Sequence, residues 1–202
     1  FFSFFTEGQP MNLTTQLEAV NVLLATIGES PVNTLNSGLV EASEAEQTLA
    51  NVNREVQAIG WSYNTDLGYT LTPDASGELR LPVNCLHVDT TSLRKSTESD
   101  LVQRGLRLYD RVENTYVINQ PIEVDMVVLL EFEELPETAR RYITIRAARL
   151  LQDRYLSSEA LHAYNTNDER QAWNALIQIE AEVNDYNIFD NYAPNQIAHA
   201  YR

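Results

Sequence analysis

The chain has 202 residues, 44% of them apolar and 21% charged, with seven glycines and seven prolines. That length can bury one sizeable core or two small packed ones, and it excludes a disordered, fibrous or low-complexity reading. A net charge of −15 argues against a sequence-reading nucleic-acid binder, which needs a basic face, but not against a channel through which DNA passes without sticking.

Residues 1–10 open on Phe1-Phe2-Ser3-Phe4-Phe5, followed by Thr6 to Pro10. The apolar run is short and lacks a positive flank, so it makes a poor signal peptide, and Met11 reads as a natural start. Residues 1–10 are read as an N-terminal extension, either upstream sequence or residues added artificially, with a hydrophobic anchor on a partner as the sharper alternative. No stretch approaches the roughly 20 consecutive apolar residues that span a bilayer, so no membrane anchor is expected.

From Leu13, apolar residues recur at Leu17, Val20, Leu24 and Ile27, one face of a helix over about 13–28. Thr15-Gln16-Leu17-Glu18 has the form of a capping box, and Gly28 with Pro31 supplies the stop. A second helix follows from Ala42, Ala45, Leu49, Val52, Val56 and Ile59, ending on Gly60. Its narrow apolar seam predicts packing against the first helix.

After Trp61 the pattern shifts to short runs of Thr, Val, Tyr and Leu separated by turn residues. Strands are predicted near 68–71, 78–81, 86–91, 106–111, 115–119 and 122–132, with a turn at Pro73 to Gly77. Helix resumes at Leu135-Pro136-Glu137 and runs to about Leu156, and a fourth helix is expected over 158–186, interrupted near Asn165-Thr166-Asn167. The fold class is α+β: a four-helix bundle from 11–60 and 135–186, a β-rich insertion over 61–134 between helices 2 and 3, and an extended tail over 187–202. That aperiodic tail carries Phe189, Tyr192 and Tyr201, which need a surface of this chain or of a neighbouring subunit.

Charge is uneven. Residues 61–135 hold 13 acids and 6 bases, whereas residues 136–202 hold 9 and 7, so the third helix is the cationic element of an acidic chain. Its Arg140, Arg141, Arg146, Arg149 and Arg154 point in several directions at 100° per residue. Two readings stand: salt bridges to acids of the same chain, or contact with acidic faces of adjacent subunits.

Catalytic chemistry has little to stand on. The lone Cys85 forms no intrachain disulfide and suits synthesis inside a cell. His87 and Asp89 share one strand face but are too few for zinc; no nucleotide loop or nucleophile elbow is present, and no cofactor is expected. The remaining enzymatic alternative is a virion-borne polysaccharide or cell-wall hydrolase using a carboxylate pair, with Glu131 and Glu133 as the pair and Asp110, Glu113 and Asp125 as other candidates. Among 29 acids such pairs arise by chance.

Several ordered segments carry a resemblance. Ala19 to Val32, with its Gly28-Glu29-Ser30-Pro31-Val32 stop, and Asn53-Arg54-Glu55-Val56-Gln57-Ala58-Ile59-Gly60-Trp61 are similar to the opening helix and the Asn-Arg-x-x-Gln-x-x-Gly-Trp segment of the tail tubular protein A family of short-tailed bacteriophages. Leu71 to Asp74, Leu108 to Arg111 and Leu135 to Arg149 follow in the family's order. These are packing and turn motifs; Gly60 ends a helix and Trp61 is expected to cover the junction of bundle and β region. The resemblance implies a structural, non-enzymatic head-to-tail adaptor in the virion tail, made in the host cytoplasm. It further implies a ring of about twelve copies that docks on the portal, receives the tail nozzle (tail tubular protein B), holds tail fibres and lets DNA through during ejection.

Overall fold

The computed structural model describes residues 13–90, 100–155 and 159–188, the side chains of 159–165 and 184–188 apart. The N-terminal extension and the aromatic tail with Phe189, Tyr192 and Tyr201 lie outside the described residues. The described chain is mixed α+β.

Helix α1 spans Gln16–Thr26 and α2 spans Val40–Gln57. The box at Thr15 and Glu18 is formed in both directions, satisfying two backbone N–H groups that the first turn leaves without partners. Five strands follow: β1 Thr65–Leu71, β2 Cys85–Asp89, β3 Leu101–Arg104, β4 Arg107–Asp110 and β5 Ile122–Val128. Helices α3, Glu137–Tyr155, and α4, Glu159–Ile188, complete the chain. The α4 helix is continuous through Asn165–Asn167: asparagine and threonine are weak helix formers, but without glycine or proline the run does not break.

Helix α3 is the hub, packing against α1, α2 and α4, while α1 also packs against α2. The helical core joins Leu23 and Leu24 of α1, Leu49 and Val52 of α2, Ile143 and Leu151 of α3, and Leu176 of α4. Thus α2 turns its narrow seam to both α1 and α3, and α4 is carried on α3.

In the three-stranded sheet, β5 lies between β1 and β2 and is antiparallel to both, with Leu71 opposite Ile122 and Cys85 opposite Val128. A second core of Leu79, Leu108, Val124 and Met126 sits beneath it. The β3–β4 hairpin turns at Gly105, whose φ of 62° suits a two-residue turn. Two expected strands do not form ladders. Residues 78–81 and 115–119 make isolated bridges at Glu78–Val117, Arg80–Arg107 and Asp110–Thr115. Gly77, at φ 77°, and Pro82, which lacks an N–H, bound the first stretch too closely for a ladder to extend. The strand expected to reach residue 132 stops at Val128, and Phe132–Glu134 coil into a 3-10 turn that leads into α3.

Candidate functional site

Among the described residues, two groups stand out as fixing the shape of the chain and offering contacts. The first group is the junction between helices and sheet. Gly60, at φ 82°, ends α2 in a left-handed conformation, and a Cβ there would lie 3.0 Å from Val127 Cγ2. Trp61 follows, 3% exposed, donating its indole N–H to the Val56 carbonyl at 2.7 Å. Its ring stacks parallel to Tyr63 and meets Trp173 of α4 edge-on at 5.5 Å; Trp173 in turn touches Tyr142 of α3 at 5.0 Å. One aromatic chain therefore links the junction to α3 and α4.

Two buried amides lock it. Gln57, fully buried at the end of α2, donates to the Leu130 carbonyl at 2.9 Å and accepts from the Leu130 N–H at 2.8 Å, as a neighbouring strand would. Asn64 donates to the carbonyls of Gln57 and Val128 at 2.9 and 2.8 Å, and accepts from the Trp61 N–H. Asn64 of the 3-10 turn thus bonds the last residue of β5, and Gln57 of the helix end continues the hydrogen bonding past it. Sequence reasoning singled out Gly60 and Trp61 but not these amides; the signal available was Gln57 inside the Asn-Arg-x-x-Gln-x-x-Gly-Trp segment.

The second group is the arginine helix. Arg140 is buried and gives its guanidinium to three carbonyls: Leu135 and Thr14, both at 2.8 Å, and Glu133. It ties the entry to α1 to the entry to α3. Arg146 reaches Glu169 of α4 at 2.9 Å and Glu55 of α2 at 2.6 Å, and Arg149 binds the other oxygen of Glu169 and Asp153. Burial opposes the Arg146 charge, yet the carboxylates of Glu169 and Glu55 outweigh it, so its pKa stays above the ordinary arginine value. Glu169 likewise raises Arg149. At the far end of α4, Glu180 accepts from the Ser62 N–H at 2.7 Å and its hydroxyl at 2.9 Å. Glu169, Ala172, Leu176 and Glu180 lie on one helical stripe, so α4 is held by a carboxylate at each end of an apolar strip. Arg154 makes one long bond to Thr48 Oγ1, 3.4 Å, and Arg141 is exposed with no ion pair among the described residues.

Three of the candidate carboxylates, Glu133, Asp110 and Asp125, accept hydrogen bonds from backbone N–H groups. Glu131 and Glu133 do not share a strand face; Glu131 donates its backbone N–H to the Glu134 carboxylate at the 3-10 turn, and Glu133 accepts from the Gln16 N–H. Asp110 accepts from the N–H groups of Val112 and Glu113, and Asp125 from that of Gly68 at the bulge in β1. Burial pushes the Cys85 thiol up, away from the reactive thiolate. Among the described residues no cluster of three or more His, Cys, Asp or Glu is arranged to hold a metal, and no helix is long and apolar enough to cross a membrane.

Comparison with known proteins gives this architecture a place. The profile of the family described as tail tubular protein matches residues 17–186, from the first turn of α1 almost to the end of α4. The chain belongs to the tail tubular protein family. It is also similar to tail tubular protein A of Klebsiella phage KP34, 30% identical over 128 residues. That match takes in 63% of this chain and 66% of the relative, just under two thirds of its length. Family membership makes the chain a structural component of a phage tail, and the match reaches over the junction, the arginine helix and its Glu169 and Glu180 anchors alike.

Proposed function

We propose that this tail tubular protein is a head-to-tail adaptor: about twelve copies form a ring at the junction of phage head and tail, between the portal above and the tail nozzle below, with tail fibres at its side. The reading rests on family membership over residues 17–186, and is supported by a fold in which the buried polar groups brace one unit against another. An acidic chain suits a passage for DNA, because its walls repel the phosphate backbone. The role is structural; among the described residues no arrangement of carboxylates supports the hydrolase alternative.

In this scheme Arg140, Arg146 and Arg149 serve assembly indirectly by setting the positions of α1, α2 and α4. Arg141 and Arg154 remain open to acidic faces of neighbours, with Phe189, Tyr192 and Tyr201 as further contacts. The test is electron microscopy of the purified chain mixed with its phage's portal and nozzle proteins. A closed ring seated on the portal and receiving the nozzle is expected, with Arg141→Glu lowering occupancy. A chain that binds neither protein refutes the adaptor reading.

A further inference from the structure

The β3–β4 hairpin and the segment after it carry an array of arginines and tyrosines, with Arg104 exposed and Arg107, Tyr109 and Tyr116 half-buried. Arg104 lies over the Tyr109 ring, its Cζ 3.6 Å from the centroid; Tyr109 meets Tyr116 edge-on at 4.8 Å, and Arg107 covers Tyr116 at 4.1 Å. Arg107 is paired with Glu78, but Arg104 is exposed and has no carboxylate partner among the described residues. Beside the array, Leu106 and Val117 leave 43% and 45% of their surface in solvent. Arginine and tyrosine are the residues that dominate binding energy at protein interfaces, and stacking already restricts these side chains before any partner arrives.

A complementary acidic surface lies on the same chain, and the hairpin arginines form no ion pair with it among the described residues. Residues 13–60 hold six carboxylates against Arg54 alone. Three of them converge near the start of α2: Glu44 takes a hydrogen bond from the Tyr155 hydroxyl, and Glu41 and Glu29 act on the same hydroxyl. From Glu41 to its last residue, Gln57, α2 rises by roughly 24 Å toward the junction. The hairpin packs beside β2, neither of its strands packs substantially against α1 or α2, and Arg104 meets no carboxylate of its own chain among the described residues. An attraction between the two patches is therefore satisfied between copies, not within one.

We propose that the Arg104–Tyr109 face of one copy docks on the Glu29–Glu41–Glu44 end of the helices of a second copy. The contact joins two different patches, so each copy keeps one of each free and the series closes into a ring when its rotation permits. It rests on the ring reading above and names the contact. Charge complementarity identifies the occupant: copies that repel at −15 each need a local attraction of opposite sign to associate.

The test is sedimentation velocity of the full chain up to 200 µM in 50 mM NaCl, with Arg104→Glu, Tyr109→Ala, Glu41→Arg and the double variant Arg104→Glu/Glu41→Arg, each checked for native circular dichroism. The wild-type chain should self-associate. Each single variant should weaken association at least ten-fold, and the double variant should recover most of that loss. Raising NaCl to 500 mM should dissociate the wild-type chain. Association unchanged by Arg104→Glu, a double variant no better than the singles, or a wild-type chain monomeric throughout overturns the proposal. Rings that assemble on the portal unaffected by Arg104→Glu would overturn this contact while leaving the adaptor reading intact.

Discussion

Replacing Gln57 with methionine keeps the length of the side chain and removes its amide. Two backbone groups of Leu130, the N–H bonded at 2.8 Å and the carbonyl bonded at 2.9 Å, then lose their partner. A buried donor or acceptor left unpaired costs about 1–3 kcal/mol, so the pair costs about 2–6 kcal/mol. Leu130 is only half-buried, and water can reach part of the site, which favours a value near 3 kcal/mol. For a chain of this size that lowers Tm by roughly 6–12 °C, at about 2–4 °C per kcal/mol. Urea unfolding followed by tryptophan fluorescence reads this directly, since Trp61 and Trp173 both sit at the junction. Hydrogen exchange at the Leu130 amide supplies the local readout. Gln57→Glu retains an acceptor for the Leu130 N–H but offers the Leu130 carbonyl a second oxygen at neutral pH, so it should not rescue the loss. A destabilisation below about 0.5 kcal/mol, within the range of an ordinary surface substitution, or unchanged exchange at Leu130, would refute the view that this amide joins helix to sheet.

Three further outcomes follow from the same geometry. Gly60→Ala should cost about 1–2 kcal/mol in urea unfolding, because an L side chain at φ 82° is strained and its Cβ would crowd Val127. Glu169→Ala strands Arg146 and Arg149 without their shared carboxylate; with these side chains partly solvated, a loss of about 1–3 kcal/mol is expected, below the full cost of breaking a buried pair, together with faster limited proteolysis within α4. The Tyr155 hydroxyl is pushed up to about 12 by its hydrogen bond to Glu44, above the ordinary tyrosine value of 10.0. That contact therefore supports the fold fully below pH 10 and is lost as pH rises through about 12. An NMR titration of Tyr155 should move toward the ordinary value in Glu44→Gln, and an unmoved midpoint would remove Glu44 as the cause.

The first three helices were legible because each bears its own signals: the box at Thr15 and Glu18, the three-and-four spacing from Ala42 to Val56, and the proline opening α3. The β region was less so. Strand β3, Leu101–Arg104, has four residues, two of them polar, and too little alternation to stand out, whereas Thr115–Asn119 has strand-forming residues but only isolated bridges. The arginines of α3 were conspicuous, yet their partners were not, since Glu55 lies 91 residues from Arg146 and Glu169 lies 20 from Arg149. Gln57 and Asn64 escaped notice for a different reason. A polar residue near a helix end is ordinary in sequence, and only the neighbouring backbone shows that it is buried and fully bonded.

The Gln57–Leu130 exchange has a geometric corollary. A sheet sets the register of each strand by its neighbour, but here the last rung beyond β5 is supplied by a helix side chain whose angular position is fixed by the turns of α2 beneath it. Asn64 repeats the constraint seven residues later, bonded at once to Gln57 and Val128. The phase of a helix is thereby converted into the alignment of a sheet. Insertion of one residue between positions 57 and 64 would rotate one amide away from its carbonyls, whereas the two-residue turn at Gly105 governs its hairpin alone.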